Sequence, residues 1–207
     1  MSQKITSLYK LVTIPFMYEL IQRTLGQKKT RHYLCNGPLK TNTGDRVLDV
    51  GCGPATLRPF LGDICYKGMD LNPSHIEHAT KDFGHLGTFI CSNAVTDTVN
   101  APGPYDLIYC IGLLHHLDDD EARTLINSLS ARLADGGRLV TYDPVYVEKQ
   151  NFIAKWLNDL DSGQNIRTAQ GYANLFDDVE LPLDTHVLSG MLNVPYNHCC
   201  NIVSQPK

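Results

Sequence analysis

Apolar and polar residues follow two rhythms along this chain, one helical and one extended, and the switches between them mark the elements. Between about positions 8 and 25, Phe16, Met17, Leu20, Ile21 and Leu25 recur at helical spacing, with Pro15 suited to a first turn and Gly26 to a stop. This predicts an N-terminal helix. Residues 46–50, RVLDV, read as a short strand running straight into Gly51, Cys52, Gly53 and Pro54, and 57–61 as the helix that follows. Further strands are predicted at 65–69, 88–91 and 107–110, with a helix over 73–81. Residues 118–133 begin in acid and place Ala122, Leu125, Ile126, Leu129 and Leu133 on one face, which predicts a helix stopped by Asp135, Gly136 and Gly137. Another strand is expected at 138–142, a helix at 147–160, and a helix from an N-cap at Thr168 through Phe176. The tail changes character: strand-like stretches at 179–187 and 196–204 flank Ser189, Gly190 and Asn193, the pattern of a closing hairpin.

Strands alternating with helices imply an α/β fold with a parallel sheet and right-handed crossovers. The 207 residues suit a single domain, read as a helical cap over 1–40 and a core over 41–207 with an insertion at 144–175.

At 43% hydrophobic and 19% charged residues, the composition excludes a disordered or fibrous chain. The apolar stretches near the start are broken by Lys10, Pro15 and Glu19, so no membrane span is expected, and the absence of a signal-peptide pattern makes the cytoplasm the expected location. Net charge is −4 and the 18 Lys and Arg gather only at Lys28, Lys29 and Arg31, too little for a duplex nucleic-acid footprint. The seven cysteines include no CxxC pair, which argues against a disulfide framework or zinc ribbon. Cys199 and Cys200 beside His198 would point to opposite faces of a strand, so no metal is expected there.

A glycine turn between a first strand and a helix lets a ligand approach backbone amides, and an acid ending the second strand can accept hydrogen bonds from ribose hydroxyls. Asp70 is placed for that role, 17 residues after Gly53. Thr56, at the sixth position of the turn where a nicotinamide dinucleotide fingerprint has glycine, argues against that cofactor. The ordered blocks VLDVGCGPA at 47–55, GMDLN at 68–72, CSNAV at 91–95, YDLIYCIGLLHHL at 105–117 and LADGGRLV at 133–140 resemble the class I S-adenosylmethionine-dependent methyltransferases. The resemblance implies a seven-stranded Rossmann-like sheet of order 3-2-1-4-5-7-6 with strand 7 antiparallel, and S-adenosylmethionine over the ends of strands 1, 2 and 4. It puts Asp49, Gly51 and Gly53 around the methionine part, Asp70 on the ribose, and Asn93 and Ala94 on the adenine. It adds Tyr9, Leu71, Cys110 and His116 to the cofactor's surroundings. Ala55 stands where the family usually has a third glycine, and Asn93 where it usually has aspartate, although the Asn93 side-chain oxygen can accept from the adenine amino group.

A hydroxyl acceptor must lose a proton as it attacks, which calls for a base titrating near neutrality. His115 follows strand 4 and Asp143 ends strand 5 at the same rim, so they are expected to meet as a base and its orienter, similar to small-molecule and natural-product O-methyltransferases. Tyr18, Tyr142, Arg167, Tyr172, Tyr196 and His198 are expected to wall the acceptor site, Arg167 as a carboxylate or phosphate clamp and His198 as an alternative base. The expected partner is thus a small-molecule acceptor, on a monomer or homodimer. Transfer to nitrogen or carbon, a macromolecular acceptor, and cofactor binding without transfer are the alternatives.

Overall fold

A computed structural model describes residues 27–97, 101–160, 164–193 and 195–207. Its elements in chain order are α1 (Gln27–Asn36), β1 (Arg46–Val50), β2 (Cys65–Asp70), α2 (Pro73–Phe83), β3 (Thr88–Cys91), β4 (Tyr105–Ile111), α3 (Asp119–Ser130), β5 (Leu133–Tyr146), α4 (Phe152–Leu160), β6 (Arg167–Thr168), α5 (Ala169–Ala173), β7 (Leu183–Ser189) and β8 (Asn197–Ser204). The sheet runs β3-β2-β1-β4-β5-β8-β7, with the two-residue β6 paired to the end of β5. β1 to β5 are parallel, and β8 is antiparallel to both its neighbours. Apart from the small β6, this is the expected seven-strand order with the last strand reversed.

Strand alternation divides the core in two. Leu48, Ile108 and Leu139 face α3, whose Ala122, Leu125, Ile126 and Leu129 meet them; Val47, Leu107 and Val140 face the other way, toward Leu34 of α1 and Leu39. Cys199 and Cys200 fall into opposite clusters, as their adjacency on a strand requires. The α3 start is a capping box: Asp118 accepts from the Glu121 amide while the Glu121 side chain accepts from the Asp118 amide. Thr168 caps α5 through the Gly171 amide, as expected.

Several boundaries move. The expected helix at 57–61 is only a 3₁₀ turn, Arg58–Phe60. The helix expected over 147–160 starts at Phe152, because β5 continues to Tyr146. β4 stops pairing at Tyr142, so Pro144 sits where β5 is paired only on the β8 side, and its missing N–H costs no bond toward β4. The N-terminal helix expected before residue 26 lies outside the described residues. Among the described residues no helix is long and apolar enough to cross a membrane.

Candidate functional site

All the candidate groups but those of the first 26 residues come from the carboxyl-end rim of the sheet or from the β8 hairpin beside it. The turn after β1 is built from Gly51 and Gly53, at φ 74° and 53°, a region where glycine is strain-free. Gly51 N and Cys52 N donate to Met69 O at 2.8 and 2.9 Å. A Cβ on Gly51 would lie 3.2 Å from the Leu113 side chain, so glycine lets Leu113 pack closely against this turn. Ala55, at the third glycine position, takes φ 54° and is buried. Its methyl group therefore lies against the core, not in the turn.

Asp70 ends β2 and braces this turn. Its Oδ2 accepts from Gly53 N at 2.8 Å, and its Oδ1 accepts from Asn72 N at 2.8 Å and lies 3.3 Å from His75 Nδ1. Burial pushes the Asp70 carboxyl up, but the bonds from His75, Asn72 and Gly53 outweigh it and hold it below the usual carboxylate range. Leu71, next along, is 69% exposed and offers an apolar face at the rim.

Asp49 lies on the cleft floor, buried, with Tyr66 Oη donating to its Oδ2 at 2.6 Å and Tyr109 Oη at 2.8 Å. Burial pushes the Asp49 carboxyl up to about 7, against the two phenol hydrogen bonds that lower it, with the Asp70 charge adding to the rise. The sequence did not suggest either tyrosine. Tyr109 is the direct cross-strand neighbour of Asp49, so only the β1–β4 register reveals it. From α1, Thr30 and Arg31 reach the same cleft, which Gly51, Gly53, Leu57 and Ile111 also line.

The Asp49 shift has a consequence for stability. A carboxyl whose folded value lies near 7 against 3.8 for the free group keeps in the folded state a proton that the unfolded chain has released. Its contribution is therefore fully present below about 4 and is lost as pH rises through about 7. Asp49→Asn, which keeps an oxygen for both phenols, is expected to flatten the fall in stability between pH 4 and 7; urea denaturation at both ends of that window checks it.

At the β4 and β5 ends, His115 Nδ1 lies 2.8 Å from Asp143 Oδ1, which also accepts from His115 N at 3.2 Å. The expected meeting of these two residues is present. His116 is exposed, with its ring centroid 4.1 Å from that of His115. The Tyr142 ring stacks on His198 at 4.5 Å, and Tyr196 meets His198 edge-on at 5.1 Å.

Other expectations need correction. Arg167 is no free clamp: its guanidinium donates to Asp119 Oδ1 from both Nε and Nη2, to the Leu114 and Asn165 carbonyls from Nη1, and to the Leu117 carbonyl from Nη2. Four of these five bonds are spent on residues 114–119, the stretch that carries His115. Tyr172 is fully buried in the core and donates to Pro144 O at 2.9 Å, so it offers no ring face to a ligand. Tyr142 is 3% exposed and packs in the second core cluster, and Cys110 packs in the first, which leaves the cleft only their backbone or edges. His198 is buried, and burial together with nearby His115 lowers it to about 4, a weak proton acceptor at neutral pH. The Asn93 oxygen accepts from the Val95 and Thr96 amides at 2.9 and 3.4 Å, and the Asn93 amide donates to Asp97, so this group is turned into its own loop and away from an adenine. Ala94 is partly buried against the core. Tyr9 and Tyr18 lie outside the described residues.

Residues 47–137, from β1 through the start of β5, match a family described as a methyltransferase domain. That stretch is similar to a methyltransferase domain. It is 28% identical over 118 residues to 27-O-demethylrifamycin SV methyltransferase from Amycolatopsis mediterranei, covering 52% of this chain and 41% of that protein. The chain spans less than half the length of the curated relatives it matches. An O-methyltransferase family protein from Burkholderia thailandensis superposes with a TM-score of 0.75 at 16% identity, over 99% of this chain and 63% of that one. Magnesium protoporphyrin IX methyltransferase from Synechocystis, solved with bound S-adenosylhomocysteine, superposes at 0.62 and 18% identity, over 99% and 90% of the two chains. The methyltransferase domain fold accounts for the strand order and the glycine turn. S-adenosylmethionine is the cofactor expected of that family, and the donor set here fits it: Asp49 lines the floor of the cleft and Asp70 stands beside the glycine turn.

Proposed function

We propose that the protein is an S-adenosylmethionine-dependent methyltransferase that methylates a hydroxyl group of a small organic acceptor, with His115 taking the proton and Asp143 orienting it. The observation that carries this reading is the 2.8 Å contact between His115 Nδ1 and Asp143 Oδ1. When bound, the cofactor supplies a methyl group on a positively charged sulfur, open to in-line displacement. The chain's part is to hold the acceptor oxygen behind that methyl and remove its proton; positioning alone is worth about 7–11 kcal/mol.

With Nδ1 bonded to Asp143, Nε2 is the nitrogen that takes the acceptor's proton. Asp143 is 1% exposed, and its second oxygen, Oδ2, is buried with no hydrogen-bond partner among the described residues. A carboxylate so poorly solvated concentrates its charge on the ring beside it and favours the imidazolium that forms as the proton arrives. His115 is itself only 5% exposed, a depth reached by a small group and not by a broad macromolecular surface. Tyr196, edge-on to the His198 ring, supplies an aromatic border. The names of the relatives support oxygen as the acceptor: the Amycolatopsis protein acts on an O-demethylated rifamycin, and the Burkholderia protein is an O-methyltransferase family member.

Incubation with methyl-labelled S-adenosylmethionine and a panel of phenols and hydroxylated metabolites tests the reading by mass spectrometry. The expected result is S-adenosylhomocysteine together with a product labelled on oxygen. Label on nitrogen or carbon, or no turnover across the panel, overturns it.

A further inference from the structure

His198 is a buried polar residue of the rim that the proton transfer leaves unused. It is the second residue of β8, which runs antiparallel to β5, so it stands where the parallel strands end, and its cross-strand partner Pro144 directly follows Asp143 in the chain. His115 lies near enough to help burial lower the His198 imidazole to about 4, so the ring is neutral at physiological pH. Two tyrosines fix its plane: Tyr142 stacks on one face with the rings 18° apart, and Tyr196 meets it edge-on.

A neutral imidazole has one donor and one acceptor nitrogen, and its surroundings decide which is which. Nδ1 of His198 is shut off from solvent and has no hydrogen-bond partner among the described residues, whereas Nε2 is not enclosed in this way. Proteins leave a buried N–H without an acceptor more rarely than they leave an acceptor unused. The proton is therefore assigned to Nε2, which makes His198 a donor held at a fixed angle near the base. His115 receives the acceptor's proton, so this second N–H has no part in the transfer; what complements it is an oxygen that accepts.

We infer that His198 is a specificity-determining residue that donates from Nε2 to a carbonyl oxygen of the acceptor, so that the site prefers a hydroxylated ring bearing a carbonyl group. The inference rests on the proposed O-methylation with His115 as base. A carbonyl only accepts, whereas a second hydroxyl would bring a further hydrogen that the enclosed Nδ1 cannot receive. An acceptor with an apolar group at that place would strip water from the Nε2–H and give nothing back, and the unmade bond is the source of the discrimination.

Steady-state kinetics with methyl-labelled S-adenosylmethionine test this on hydroxyacetophenones and isopropylphenols of similar shape, as ortho and meta isomers. Wild type is expected to use the better hydroxyacetophenone with a kcat/KM about tenfold or more above that of its isopropyl counterpart, the difference lying in KM. His198→Phe keeps a ring against Tyr142 but no donor, and should erase the preference. His198→Gln, which restores an N–H without the ring, should recover part of it, and it decides the matter alone if thermal denaturation shows that the phenylalanine variant does not fold. Equal use of the paired compounds by wild type, a preference that persists in His198→Phe, or one lost in His198→Gln overturns the assignment. So does a lack of label on all these compounds when other hydroxyl acceptors are methylated. A lack of O-methylation on any acceptor overturns instead the reading of function on which the inference rests.

Discussion

Replacing His115 by alanine is expected to lower kcat by about 10²- to 10⁴-fold, the usual worth of a positioned general base, or about 3–5 kcal/mol of barrier. Affinity for S-adenosylhomocysteine should change little, because the ring is directed at Asp143 and the acceptor side, away from the Asp49 cleft. The ring is nearly buried, so the substitution also leaves a small void; thermal denaturation of the variant separates loss of fold from loss of chemistry. Asp143→Asn provides the companion measurement. An amide at that place can present its N–H to Nδ1 and turn the imidazole to the wrong tautomer, so kcat should fall although the shape is kept. Full activity in both variants would reduce the pair to a structural contact.

The second large effect is expected at Arg167, and it is an effect on stability. The Arg167 side chain is only 10% exposed, and it satisfies the carbonyls of Leu114, Leu117 and Asn165. Its ionic partner Asp119 is 72% exposed and screened by water, so the charge pair itself contributes little. The carbonyls matter more: stripped of their donor, they cost about 3 kcal/mol in total. Arg167→Ala is therefore expected to lower Tm by about 6–12 °C for a chain of this size. Lysine at the same position keeps the charge but cannot span Leu114 and Leu117 at once, and should recover only part of the loss. Since Leu114 and Leu117 bracket His115, a fall in kcat larger than the fall in folded fraction would show that Arg167 also positions the base. A Tm unchanged in Arg167→Ala would mean that water replaces the guanidinium at those carbonyls.

The contrast between these two sites explains what could be read from the chain in advance. The meeting of His115 and Asp143 follows from topology: parallel neighbouring strands place their ends at one rim, and both residues lie beyond the last pairing of β4 with β5, Ile111 with Tyr142. The same reasoning located Asp70 and the glycine turn; the alternation of short apolar runs with amphipathic helices made the parallel sheet legible, whereas the strand order came from the family resemblance. Arg167 escaped it because its partners lie about fifty residues away, on backbone carbonyls that carry no mark in the sequence. Tyr66 and Tyr109 were hidden for a related reason. A tyrosine in an apolar strand reads as core, and its bond to Asp49 depends on a register that only the assembled sheet fixes. The length of β5 was misjudged because Pro144 reads as a terminator, whereas on the side left open by β4 it is harmless.

Where a third glycine is usual, Ala55 holds a left-handed backbone at φ 54°, with its side chain in the core. Such a conformation costs an alanine about 1–2 kcal/mol more than a glycine, and the residue recovers part of this by narrowing the unfolded ensemble and burying its methyl. The loop is thus tied at its strand end, through the bonds of Gly51 and Cys52 to Met69 and of Gly53 to Asp70, and pinned beyond it at Ala55. Ligand exchange therefore has to be accommodated by the segments around this loop, while the loop itself keeps its form between turnovers.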